Sequence, residues 1–291
     1  MIALVQSNYV PRLPLGNWVE SFVQFTTNNF TGFFDLLQSL FNFLVGAGEG
    51  LLTILPAPLM ILVFGAVAWV LANWRIALLT LAGFLLILSL QLWGDAMTTL
   101  ALVLASTFVA LLLGVPMGIL AAQYRIVEVI VRPVLDFMQT MPAFVYLLPA
   151  VILLGLGSAP ALIAVVVFAM PPAVRLTLLG IQQVPAETVE AAHAFGASPW
   201  QTLIKVELPL AIETIMAGVN QVIMLALSMV VIAALIGAGG LGDPVYQGLS
   251  RLDIGLSFEG GIGIVVIAIV LDRITRRIGV SSSPAGKGGT A

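Results

Sequence analysis

This chain offers little for covalent or acid–base catalysis. Its 291 residues include one histidine and no cysteine. Disulfides, thiolate nucleophiles and cysteine-ligated metals are therefore excluded, and His193 has no second imidazole with which to share a metal. We predict no metal site and no catalytic residue, and read His193 as a surface group. No Walker A loop is present, so the chain has no phosphate cradle for ATP chemistry of its own. Two concentrations of polar groups remain. One is the stretch Gly180–Leu210, GIQQVPAETVEAAHAFGASPWQTLIKVELPL. The other is an arc inside an apolar run, where Glu213, Ala217, Asn220, Gln221, Met224 and Ser228 share one side of a helix turning about 100° per residue.

The first stretch reads as two short amphipathic helices at a sharp angle. Pro185 suits a first helical turn and Gly196 a left-handed stop. Between them Val189, Ala192 and Phe195 share a face, with Thr188 on its edge, while Glu187, Glu190 and His193 take the other side. Ser198-Pro199-Trp200-Gln201 then has Ser as N-cap, Pro at the first helical position and Gln completing a capping box. Trp200, Leu203 and Ile204 form a stripe on the second helix, which Pro209 is expected to end.

The surroundings of both features are apolar. The chain is 60% hydrophobic and 9% charged, against about 25% charged in a soluble domain, which points to a bilayer. The net charge of −3 argues against a nucleic-acid partner. Continuous runs such as Leu100–Leu113 favour helices over the alternating segments of a barrel. At roughly 20 apolar residues per crossing, the candidate spans are Ile54–Leu71, Ile76–Trp93, Thr98–Ala122, Pro142–Leu156, Ala159–Leu179, Ala211–Ala238 and Gly261–Leu271. This arrangement with a cytoplasmic C-terminus puts nine basic residues inside and only Arg12 and Arg251 outside; excess Lys and Arg mark the cytoplasmic side. The stretch Gly180–Leu210 then lies inside and the N-terminus outside.

The ends differ from the middle. Met1–Gln24 lacks the basic start and apolar run of a secretory signal. Asn17–Leu44 interleaves Trp18 and several Phe with Glu20, Asn28, Asn29 and Asp35, as in a helix lying in the outer interface. Gly46–Gly50 reads as a joint. The Ser/Gly-rich end reads as a disordered tail. The expected divisions are 1–50 (interfacial), 51–94 (two extra spans), 95–279 (the core, with the loop 180–210) and 280–291 (the tail).

Glu190-Ala191-Ala192, then Gly196, then Val206 and Leu208-Pro209 resembles the EAA loop of binding-protein-dependent ABC importer permeases. Val206 stands where that pattern has Ile. Asp136–Tyr146 (DFMQTMPAFVY), Ala226–Gly242 (ALSMVVIAALIGAGGLG) and Arg251–Gly255 are similar to the quaternary-ammonium branch, whose solutes are glycine betaine, proline betaine, choline or carnitine. The resemblance implies an all-α integral membrane protein of the bacterial cytoplasmic (inner) membrane, with a five-helix type I (MetI-like) core preceded by two spans. It implies that Glu187, Glu190, Ala191, Ala192, Gly196, Val206, Leu208 and Pro209 meet an ATPase. The implied partners are a second permease copy, two ATP-binding subunits that carry the ATP and Mg, and an extracytoplasmic solute-binding protein.

A solute path needs polar or aromatic groups at membrane depth. Asn220, Gln221, Met224 and Ser228 are candidates, with packing between helices as the equal alternative. Phe144 and Tyr146 could face a quaternary ammonium. Met170-Pro171-Pro172 is expected to kink its span. Gly114 and Gly118 form a G-x-x-x-G pair suited to packing within the subunit. Gly237–Gly242 satisfies G-x-G-x-x-G but follows a membrane helix rather than a strand, so it is read as a helix end. An ABC permease for another small solute, such as an amino acid or a sulfonate, stays open. So does an ion-coupled secondary carrier, although no inverted repeat is visible.

Overall fold

A computed structural model of the chain describes residues 13–282, with side chains through Arg277. Helices α1 (Leu15–Asn29), α2 (Thr31–Thr53), α3 (Ala57–Leu71) and α4 (Trp74–Ser89) precede α5 (Trp93–Gln123). Next come α6 (Arg125–Thr140), α7 (Phe144–Leu154), α8 (Ser158–Gln182) and α9 (Ala186–Ala194). The short α10 (Pro199–Thr202) opens through a π-turn (Leu203–Glu207) into α11 (Leu208–Ala234), followed by α12 (Gly242–Arg251) and α13 (Ile254–Ser282).

Helices α5, α8 and α13, together with the run Pro199–Ala234 that contains α11, are long and apolar enough to cross a bilayer. α8 is central, packed between α5 and α11. Its apolar window is 61% buried, against 22% for α13, so α13 keeps its faces for lipid or another chain. Lipid is as apolar as leucine, so these helices gain by approaching closely at small residues. Gly114 meets Met170 and Ala173 of α8, and Gly118 meets Val174 and Thr177. On the other side Gly218 of α11 sits against the Pro172 carbonyl and Leu176. The G-x-x-x-G pair thus packs within the subunit. α8 runs through Pro171 and Pro172 without a break.

Several expected limits move. Among the described residues four helical runs qualify as crossings, or up to six if each bent pair is one crossing. α3 and α4 have 15 and 16 residues, about 22–24 Å at 1.5 Å per residue, less than the ~30 Å hydrocarbon core. The expected span Pro142–Leu156 is the second arm of a broken element, since α7 is bent 99° from α6. Gly261–Leu271 is only the middle of α13. The Gly46–Gly50 joint is helical: α2 runs through it, and Gly48 lies against Ala101 of α5. Of the glycines there Gly48 alone serves close packing, and the bend falls earlier, 85° between α1 and α2.

α2 binds one end of the bundle. Gln38 donates to the Leu154 carbonyl at 2.8 Å, Ser158 donates to Asn42 at 3.0 Å, and Thr98 donates to Glu49 at 2.7 Å. These partners lie where α7 ends and where α8 and α5 begin. The Gly237–Gly242 stretch lies at the same end, linking α11 to α12, and the Leu241 N–H donates to Thr99 Oγ1 at 2.8 Å. The stretch Gly180–Leu210 lies at the opposite end. Residues 1–12, and the expected tail beyond Ser282, fall outside the described residues.

Candidate functional site: an exposed hairpin and a polar stripe

α8 reaches α9 through only Gln183, Val184 and Pro185, and Pro185 caps α9 with an extended ψ of 128°. Glu187 in the first turn complements the helix dipole. The other end closes in a Schellman arrangement: Ala197 N–H donates to Ala192 O at 3.0 Å and Gly196 N–H to His193 O at 2.9 Å. Gly196 has φ +83°, the left-handed conformation this closure requires. The expected capping box is formed, with Gln201 N–H donating to Ser198 Oγ at 3.3 Å and Ser198 N–H to Gln201 Oε1 at 2.9 Å. His193 Nδ1 lies 3.3 Å from Ala197 O, at the surface.

Pro209 does not end the second helix. It occupies the first turn of α11, in one helical run from Pro199 to Ala234. A proline inside an α-helix loses one hydrogen bond and clashes with the carbonyl four residues back. Here the π-turn Leu203–Glu207 directly precedes it and widens the backbone. Leu203 is buried with Ile181, Ala211 and Ile215, which fastens the hairpin to the ends of α8 and α11. The arm from Pro199 onward is continuous with α11, so the second half of the hairpin is anchored in the bundle.

The outer surface of this hairpin is exposed. No residue of α9 is buried, and Phe195 is 93% and Trp200 68% exposed. Two expected stripes are divided. Val189 and Ala192 are half-buried while Phe195, at the cap, swings outward; Leu203 is buried while Trp200 and Ile204 point away. Glu187, Glu190, Ala191, Gly196 and Pro209 are exposed, and Ala192, Val206 and Leu208 half-buried. All eight predicted contact residues thus reach the surface of one hairpin.

The α11 arc is split as well. Asn220 is spent on α13: its Nδ2 donates to Asp272 Oδ1 at 2.8 Å, and its Oδ1 accepts from Thr275 Oγ1 at 2.9 Å. Arg276 Nε also donates to Asp272, at 2.7 Å. Reading the last span as ending at Leu271 hid this network, although Asp272 and Arg276 stand at i and i+4, the spacing of an ion pair. Glu213, Ala217, Gln221 and Ser228 are exposed, with Met224 half-buried beside them. The Ser228 hydroxyl donates within its own helix to Met224 O at 2.9 Å. Phe144 is 58% exposed. Tyr146 packs on the main core and donates its hydroxyl to Met138 O on α6, so it braces α6 against α7.

Asn220→Leu is expected to loosen α13 by about 1 kcal/mol, the scale of an interhelical hydrogen bond in a bilayer. It should lower the thermal midpoint of the detergent-solubilised protein. Gln221→Leu, one position along, should leave that midpoint unchanged because Gln221 makes no such bond.

Residues 114–279 match the family described as the binding-protein-dependent transport system inner membrane component. The glycine betaine transport system permease protein OpuAB of Bacillus subtilis is 51% identical over 278 residues, covering 95% of this chain and 98% of the relative. The glycine betaine/carnitine transport permease protein GbuB of Listeria monocytogenes is 51% identical over 272 residues, 92% of this chain and 96% of the relative. The glycine betaine/proline betaine transport system permease protein ProW of Escherichia coli is 46% identical over 274 residues, 94% of this chain and 77% of the relative. Among solved structures, an inward-facing MetNI methionine ABC transporter chain superposes with a TM-score of 0.56 at 23% identity, covering 64% of this chain and 93% of that one. That likeness shows the fold.

Proposed function

This chain belongs to the family of binding-protein-dependent transport system inner membrane components, and from that premise we propose that it is the membrane-spanning permease of an ATP-driven importer of glycine betaine or a related quaternary ammonium. The observation that carries this is the hairpin 186–209, exposed on its outer surface and fastened through Leu203 to the ends of α8 and α11. A docked ATPase meets Glu187, Glu190 and the exposed aromatics there, and its closure moves both helices directly. ATP and Mg reside on that ATPase, and this chain contributes no cofactor and hydrolyses nothing itself. Solute arrives on a separate binding protein at the opposite end. The relatives' names supply the solute class.

The exposed stripe of Glu213, Gln221 and Ser228 supports two copies. Polar groups at bilayer depth are costly against lipid, and a second permease related by a two-fold axis covers them or encloses them in a water-lined path. Phe144 belongs to that path, while Asn220 and Tyr146 shape it from behind. Orientation follows the basic residues, with the hairpin cytoplasmic. The chain has no cysteine, so Ala194→Cys and Ser250→Cys each report alone. In intact cells an impermeant maleimide is expected to label Ser250→Cys and spare Ala194→Cys; the reverse pattern would invert the topology.

Uptake decides the function. Proteoliposomes holding this permease with its ATPase are expected to accumulate radiolabelled glycine betaine only when ATP is inside and loaded binding protein outside. Accumulation of an amino acid or sulfonate instead would replace the solute class. Uptake driven by a Na⁺ or H⁺ gradient without ATP would replace the importer reading altogether.

A further inference from the structure

α6 is amphipathic in the sense opposite to a soluble helix. Ile126, Ile130, Val134 and Phe137 stand exposed along one side, while the side facing α8 carries Glu128, Arg132 and Asp136. Arg132 pairs with Glu128 one turn along the helix, and Asp136 pairs with Arg175 of α8. Gln182 of α8 donates to Glu128 at 3.4 Å. These groups line a cavity of about 350 Å³ between α5, α6 and α8. Gln182 ends α8 at the hairpin end, and Arg175 lies seven residues earlier, about 10 Å deeper at 1.5 Å per residue. Arg132, Asp136 and Arg175 keep 60%, 69% and 40% of their side chains exposed, so the cavity is an open groove that runs along α6 from the hairpin end.

Charge is scarce in this chain, 25 residues of Lys, Arg, Asp and Glu in 291, and four of them line this cavity. At the cytoplasmic edge of a membrane domain, charged groups that pair across helices beside an open groove can mark a solute or ion path. The four sum to zero, two acids and two bases, in a cavity that also presents Leu135, Val174 and Leu178 as apolar wall. A ligand with a net charge would leave one charge of the wall unmatched. A compact zwitterion would not: its carboxylate can meet a guanidinium, which binds planar oxyanions in a fork, while its cation faces Asp136 or Glu128.

We propose that this cavity is a transit site for a small zwitterion on the cytoplasmic half of the path, with Arg175 taking the carboxylate and Asp136 facing the cation. The site rests on the reading of this chain as a permease for such solutes. It is separate from the α11 stripe, and Arg175 and Asp136 must part to admit the ligand.

The test uses the assembled permease and ATPase in proteoliposomes. Leu179 is exposed on the cavity wall, so Leu179→Cys provides a thiol there in a chain that otherwise has none. A maleimide is supplied from the hairpin side without ATP or binding protein. Glycine betaine is expected to slow labelling by 1 + [L]/Kd, about fivefold at about four times its Kd. Choline, a cation alone, and acetate, an anion alone, should not. Ala194→Cys, on the hairpin, should react at one rate throughout. Arg175→Gln and Asp136→Asn should each remove the protection, and the exchanged pair Arg175→Asp/Asp136→Arg should restore it, which separates lost recognition from misfolding. Equal labelling with and without glycine betaine would overturn the site, as would protection that survives Arg175→Gln. Uptake by the unmodified complex in the same vesicles then tells whether the permease reading stands without it.

Discussion

Gly196→Val is expected to abolish solute uptake while leaving the permease abundant in the membrane. No atom lies within 4 Å of a Cβ built at Gly196, so the change creates no clash. Its effect comes from φ +83°, a conformation that costs an ordinary L-residue about 1–2 kcal/mol and a β-branched one more. α9 buries none of its nine residues and has no core of its own to hold it against that strain. The Schellman closure opens, and Glu187 and Glu190 lose their orientation on the outer surface, where the proposed docking needs them. A fall in uptake of at least about tenfold corresponds to ~1.4 kcal/mol of lost docking free energy. Gly196→Asn should be milder, because asparagine tolerates the left-handed region. The measurement is uptake per unit of permease in the membrane, and an undiminished value for Gly196→Val would refute the coupling role.

Gly118→Val should fail in the opposite way. A Cβ there would lie 2.6 Å from Thr177 Cβ and 2.7 Å from the Val174 carbonyl oxygen, both on the central helix α8. Neither neighbour can move without shifting α8 away from α5. Overpacking of this kind costs about 1–3 kcal/mol, with little relief available where Val174 is fully buried. The expected result is low abundance and a lowered thermal midpoint, with the surviving molecules transporting at a near-normal rate. Gly50→Ala on α2, where a Cβ meets nothing within 4 Å, is the neutral comparison. Normal abundance of Gly118→Val would mean that α5 and α8 do not meet as described.

The local chemistry of the hairpin was legible in the sequence because it is set within a few residues. A left-handed glycine after nine helical residues and a Ser-Pro-Trp-Gln start need no tertiary information. Pro209 misled for a related reason: the rule that proline ends a helix is local, and the π-turn that accommodates it is visible only in the backbone. The long apolar helices were legible from composition. The limits of α3, α4 and α13 were not, since hydropathy does not mark where a helix stops. The joint at Gly46–Gly50 failed because glycine signals both flexibility and close packing, and only the neighbour at Ala101 distinguishes them. The arc on α11 was visible as a periodicity. Its division into an internal residue, Asn220, and an exposed stripe depended on Asp272 and Thr275, more than fifty positions away. The charged face of α6 was hidden because Arg132 and Arg175 served only as topological markers, and their partners come from pairing across helices.

The central claim is that force from ATP hydrolysis enters this chain at the hairpin. Phe195 is 93% exposed there and can be replaced by the photo-crosslinker p-benzoylphenylalanine with little change in shape. Leu249, exposed on α12 at the opposite end, receives the same replacement as the comparison. On illumination of the assembled complex, the crosslinker at position 195 is predicted to capture the ATPase subunit and the one at position 249 to leave it free. Capture of the ATPase from position 249, with none from position 195, would contradict the account.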